Sequence, residues 1–173
     1  MLFRIAFGFT CMLILSVMEA QAARITASTM DSNGNVFVTG WRVIPSPGIA
    51  EIVTIKYDKT GQIQWSHTYP GDPAKPDSEG WGIAVDPSGN VYVAGHVGTA
   101  TNDDCLLIKY PFDYKQGEAP EWVKTYEGGH FDQNWTIAID SDGYIYVTGY
   151  SQQNHAGFLN SDIVTMKYDS QGT

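Results

Sequence analysis

Two short acidic runs, Asp31-x-Asn33-x-Asn35 and Asp140-x-Asp142, hold oxygen donors of the kind that line a calcium loop. An EF-hand loop needs Gly at its sixth position and a distant bidentate Glu. Here Gly34 and Gly143 stand at the fourth position and no such Glu follows, so both runs read as hairpin turns. His67, His96, His130 and His155 are scattered with no pair at zinc spacing, and no metal ligand set is expected. A Gly-x-Ser-x-Gly nucleophile elbow is absent from the sequence. Glu51, Asp104 and Asp162 recur ahead of a shared apolar block, where solvated charge at a strand start is the commoner use. Asn134-Trp135-Thr136 is a formal glycosylation sequon, relevant only in a eukaryotic secretory route that nothing else supports. No catalytic residue and no cofactor are assigned.

The elements that position these residues begin after a leader. Met1-Leu2-Phe3-Arg4 is a short basic start, and the 14 residues from Ile5 to Met18 carry no charge. That length is short of the roughly 20 residues a membrane span requires. Ala20-Gln21-Ala22 fits the small-x-small cleavage pattern, so residues 1–22 read as a signal peptide. Cys11 lacks the small-residue context of a lipoprotein site, and removal of the leader leaves one cysteine, Cys105. The expected product is exported to the periplasm, the cell surface or the medium, with no membrane insertion afterwards. Aromatics at 13% and charged residues at 17% indicate a packed core rather than disorder. The net charge of −9 argues against nucleic acid and against an anionic membrane surface.

A repeat organises the rest. Asp31-Ser32-Asn33-Gly34-Asn35-Val36-Phe37-Val38-Thr39-Gly40 returns as Asp86-Pro87-Ser88-Gly89-Asn90-Val91-Tyr92-Val93-Ala94-Gly95. It returns again as Asp140-Ser141-Asp142-Gly143-Tyr144-Ile145-Tyr146-Val147-Thr148-Gly149, and the closing glycines are 55 and 54 residues apart. A second block travels with the first: Ile52 to Tyr57, Cys105 to Tyr110, and Ile163 to Tyr168, each ending in Lys-Tyr. Trp65 and Tyr69 are matched by Trp122 and Tyr126, 57 residues on. Each unit reads as four strands: A (Ile83 to Val85, Ile137 to Ile139), B (Val91 to Gly95 and its equivalents), C (the Lys-Tyr block) and D (Ile63 to Tyr69). Strand B is apolar on both faces, Val91 and Val93 on one and Tyr92 and Ala94 on the other. A sheet with one wet face would alternate. Sheets of about 55 residues stacked on sheets are propeller blades, and Cys105, equivalent to Ile52 and Ile163, is a core residue.

Asp-x-x-Gly-Asn-Val-Tyr-Val-x-Gly and Ile-Val-Thr-Ile-Lys-Tyr-Asp, followed by Trp and Tyr, resemble the bacterial SBBP-type β-propeller repeat over nearly all of residues 25–173. Asp58-Lys59-Thr60-Gly61 followed by Trp65 also looks like the tryptophan-docking motif of quinoprotein-type repeats, which reads as shared blade packing. The SBBP resemblance implies a fold and a secreted or cell-surface location; it carries no catalytic residues.

The reading is therefore an all-β, incomplete propeller: blade 1 at 23–71, blade 2 at 72–128, and blade 3 at 129–173, which stops before its last strand. Propellers close with about four to eight blades, so the chain is read as a fragment of a longer protein, ahead of closure by several copies or an open arc. Exposed blade flanks would then support self-association. Variable B–C and D–A loops, at residues 41–50, 71–80, 96–103, 128–134 and 150–161, mark the rim for a ligand. Trp81 and Trp135 stand just before strand A, and Trp41, His96 and Tyr150 just after strand B. These five either form a collar that stacks on a sugar or peptide or, as the commoner role, seal the gaps between blades. The expected function is a non-catalytic exported scaffold for an unknown protein or glycan. Two alternatives stand beside it: part of a propeller lyase, hydrolase or quinoprotein-like enzyme with its catalytic groups in other blades, and a carbohydrate-binding propeller closed by oligomerisation.

Overall fold

A computed structural model describes residues 23–45, 48–70, 77–99, 102–129, 131–155 and 158–173. The leader read at residues 1–22, His130 and the His155 side chain lie outside what it describes. The described residues form eleven strands and no helix: β1 (Ala23–Met30), β2 (Val36–Ile44), β3 (Ile49–Tyr57), β4 (Ile63–Tyr69), β5 (Ser78–Val85), β6 (Val91–Gly98), β7 (Asp103–Tyr110), β8 (Trp122–Tyr126), β9 (Asp132–Ile139), β10 (Ile145–His155) and β11 (Phe158–Tyr168). They pair in chain order into three antiparallel sheets, β1–β4, β5–β8 and β9–β11. Each sheet is a propeller blade, and the third has three strands.

One device closes the A–B turns. Asp31 Oδ1 accepts the N–H of Asn33 and of Asn35, both at 2.9 Å, and Gly34 takes φ of 82°. Asp140 does the same for Asp142 and Tyr144, with Gly143 at 85°. The C–D turns at Asp58 and Asp169 repeat it, with Gly61 and Gly172 also at positive φ. L-residues avoid that region, which is why Gly is fixed at this place in the repeat.

The closing glycine of each repeat has a different cause. In each blade the inner strand carries a bulge opposite it, so Thr26, Trp81 and Trp135 each stand as one extra residue in the ladder. The bulge brings a carbonyl onto the glycine: a Cβ on Gly40, Gly95 or Gly149 would run into the backbone oxygen of Arg24, Glu79 or Gln133.

Both faces of blade 2 are buried, as the strand B pattern requires. Val91, Val93, Leu106, Ile108 and Tyr110 join Phe37, Ile52 and Trp65 of blade 1 in one core. Tyr92, Ala94 and Leu107 join Ile145 and Val147 of blade 3 in another. The inner strand carries the junctions, β5 lying against β1, β2 and β3, and β9 against β5, β6 and β7. Thr26 Oγ1 donates to the Gly80 carbonyl at 2.5 Å across the first junction. Tyr114, from the long connection after β7, turns back onto Trp65, with ring centroids 4.9 Å apart.

Several element limits differ from the sequence reading. Strand A is eight residues in β5 and β9 rather than three, because the bulge glycine lets the ladder continue past Trp81 and Trp135. Residues 41–50 and 150–161, read as long B–C loops, are mostly the ends of long hairpins: β2 runs to Ile44, and β10 runs through His155. Backbone pairing there does not need alternating apolar residues, so Gln152 pairs with Ser161 and Gln153 with Asn160.

Candidate functional site

The residues that recur between blades are occupied by the scaffold. The turn aspartates accept backbone N–H groups of their own turns, and Tyr92 and Tyr146 hydroxyls donate to Asp86 and Asp140 at 3.1 and 2.9 Å. The backbone N–H of Tyr144, then the Tyr146 hydroxyl and the Asp142 N–H, hold the Asp140 carboxyl below its ordinary 3.8. The Lys of each Lys-Tyr block lies over the aromatic ring opposite it in strand B: Lys56 over Phe37 at 5.4 Å, Lys109 over Tyr92 at 5.9 Å, and Lys167 over Tyr146 at 5.2 Å. Lys109 also bonds Glu121 at 3.0 Å and the Ser170 carbonyl at 2.9 Å, tying blade 2 to blade 3.

Concave surface lies at the rim of the A–B turns. A cleft of about 410 Å³ opens between the three turns headed by Asp31, Asp86 and Asp140. A second, of about 730 Å³, runs between the turns of blades 2 and 3 past Lys109 and Tyr144. The opposite rim, formed by the B–C and D–A connections, carries the five aromatic and histidine positions singled out in the sequence. All five sit inside strands rather than beside them: Trp41 in β2, Trp81 in β5, His96 in β6, Trp135 in β9 and Tyr150 in β10.

The structure separates these five. Trp135, 55% exposed, meets Tyr150 edge to face with centroids 5.3 Å apart, and its indole N–H donates to Gln133 Oε1 at 3.2 Å. Trp41 is half-buried beneath the Arg24 guanidinium at 5.5 Å, and Trp81 is half-buried. His96 is buried at 2% exposure and meets a different set of residues. Asp77, His96 and Asp103 each offer a ligand atom, all within 4.8 Å of one another. His96 Nε2 stands 3.9 Å from Asp77 Oδ1, and Asp103 is also buried. Among the described residues these are the three side chains placed to share a metal ion. Glu79 stands opposite His96 in the ladder; burial first, then the charges of Asp77 and Asp103 against that of Arg24, push its carboxyl up to about 6. Cys105, on the other side of His96, is buried, and burial with Asp132 and Asp104 pushes its thiol up to about 12.

Residues 67–96 and 136–155 match the family model of the SBBP β-propeller repeat. These two segments carry the SBBP repeat pattern. No curated protein matches it. The first matched segment runs from β4 of blade 1 through β5 and its turn into β6, so the SBBP unit spans a junction between blades. Its last residue is His96, at a position that is Trp41 in blade 1 and Tyr150 in blade 3.

Sequence reasoning placed His96 among the aromatics because repeat equivalence put it there. It searched for metal ligands by their spacing along the chain, and so missed Asp77 and Asp103. The available signal was the departure of all three from what the other repeats hold at the same ladder positions.

Proposed function

We propose that this SBBP-repeat chain is an exported, non-catalytic scaffold that binds a protein or glycan through the B–C/D–A rim, with Trp135 and Tyr150 of blade 3 as the contact. The observation that carries this reading is the division of labour among residues. Most residues shared between repeats are taken up by turns and packing, whereas the bulge residue Trp135 keeps its ring 55% exposed and meets Tyr150 of its own blade. An exposed indole beside a phenol stacks on sugar rings and on peptide side chains. The scaffold also offers flanks for other blades. Ile163 is 84% exposed, while its repeat equivalents Ile52 and Cys105 are covered by the next blade. A blade of the same kind, from this chain or a second copy, fits that face.

The test is glycan and peptide array binding by the exported chain and by its Trp135→Ala variant. A hit weakened at least about tenfold at unchanged melting temperature supports the reading, a loss of about 1.4 kcal/mol. Turnover of chromogenic ester, phosphate or glycoside substrates that one carboxylate substitution abolishes would overturn it.

A further inference from the structure

We propose that blade 2 binds a divalent first-row metal ion, Zn²⁺ or Mn²⁺, between Asp77, His96 and Asp103. The three come from separate elements: Asp77 precedes β5, His96 lies in β6 and Asp103 opens β7. Two donors about 2 Å from a common ion stand at most about 4 Å apart. The three ligand atoms all lie within 4.8 Å of one another, and the His96–Asp77 pair, at 3.9 Å, is already inside that limit. His96 and Asp103, at 2% and 4% exposure, form the floor of the site, and Asp77 at the surface leaves a route for the ion. Gln133 Nε2 donates to Asp103 Oδ2 at 3.4 Å from the adjoining blade and orients that carboxylate. One imidazole with two carboxylates suits first-row ions; calcium prefers oxygen alone.

The other blades show what the scaffold itself requires at these positions. The ladder registers align His96 with Trp41 and Tyr150, and Asp103 with Ala50 and Ser161. Asp77 aligns with Phe131: the Gly98 N–H donates to the Asp77 carbonyl at 2.8 Å, and the Gln152 N–H to the Phe131 carbonyl at 2.9 Å. Blades built with aromatic and small residues there have the same strand pairing, so packing does not call for an imidazole and two carboxylates. All three depart together, in one blade, on side chains that converge. The Gln133 amide links Asp103 to the Trp135 indole, but none of the three proposed ligands belongs to the Trp135–Tyr150 surface, so metal uptake and array binding test the two readings independently.

The full chain, stripped with chelator and dialysed, is titrated in turn with Zn²⁺, Mn²⁺ and Ca²⁺ by calorimetry, with thermal melts of the free and loaded forms. One Zn²⁺ or Mn²⁺ per chain should bind and raise the melting temperature. Loss of even an outer-shell partner weakens metal sites by about 10–100-fold, so Asp77→Asn should weaken this one by at least that factor with the metal-free melt unchanged. His96→Tyr, which installs the blade 3 residue, should abolish binding. Should that variant misfold, Asp77→Asn alone decides. No saturable uptake of any of the three ions, uptake that Asp77→Asn leaves unchanged, or a preference for Ca²⁺ would each overturn the site.

Discussion

Gly95→Ala tests the account of the closing glycine. The added methyl would run into the Glu79 carbonyl oxygen, with Gly80 Cα close behind. That obstacle is backbone and has no rotamer to escape into, so β5 must move away from β6. Two ladder positions flank the bulge, Gly80 opposite Gly95 and Gly82 opposite Ala94. Losing about two backbone hydrogen bonds costs about 2 kcal/mol, and forcing extra volume into a packed site adds about 1–3 kcal/mol. The stiffer unfolded chain returns about 0.5–1 kcal/mol. The net loss is about 3 kcal/mol, which for a chain of this size lowers the melting temperature by about 6–12 °C. Gly143→Ala is the control: that glycine has φ of 85° and nothing within 4 Å of its added Cβ. It should lose only the left-handed backbone term of about 1–2 kcal/mol, less the same return of about 0.5–1 kcal/mol from the unfolded chain. Urea unfolding of the two variants beside the parent gives the comparison. A Gly95→Ala protein as stable as the parent, or more stable than Gly143→Ala, would refute the steric argument.

Two further outcomes are expected. Ile52→Ala should cost about 2–5 kcal/mol in urea unfolding because Ile52 is fully buried, whereas Ile163→Ala should stay within about 0.5 kcal/mol; a large loss at Ile163 would mean that its face is covered in solution. The Asp140, Asp58 and Asp169 carboxyls are held below 3.8, chiefly by the Tyr144 N–H, the Thr60 hydroxyl and the Thr173 N–H in turn. A depressed folded-state value contributes stability that is complete above the unfolded value and is lost as pH falls from about 3.8 through the folded value; carboxyl ¹³C titrations with midpoints at or above 3.8 would contradict the turn geometry.

Most of the scaffold was legible because its causes are local or periodic. Asp31 and Gly34 announce a turn through the chemistry of one carboxylate and one positive φ, and the structure places both there. Val91 against Tyr92 announces two-sided burial through a period of two residues, and the two cores divide along that line. The closing glycines were visible as a repeat, but their reason was not: it lies in a carbonyl on the neighbouring strand, brought close by a bulge that no residue type in the turn encodes. Strand ends were read short for a related reason, since backbone pairing beyond Gly95 or Tyr150 leaves no apolar alternation to detect.

Repetition along the chain was enough to establish three blade-like sheets, their order and the faces they bury, because each depends on contacts that recur at fixed spacing. The meeting of Asp77, His96 and Asp103 depends on β5, β6 and β7 being brought side by side by register, and the edge-to-face contact of Trp135 with Tyr150 depends on β9 pairing with β10. Those are distances across the fold, which a linear order of residues does not contain until the sheets have stacked.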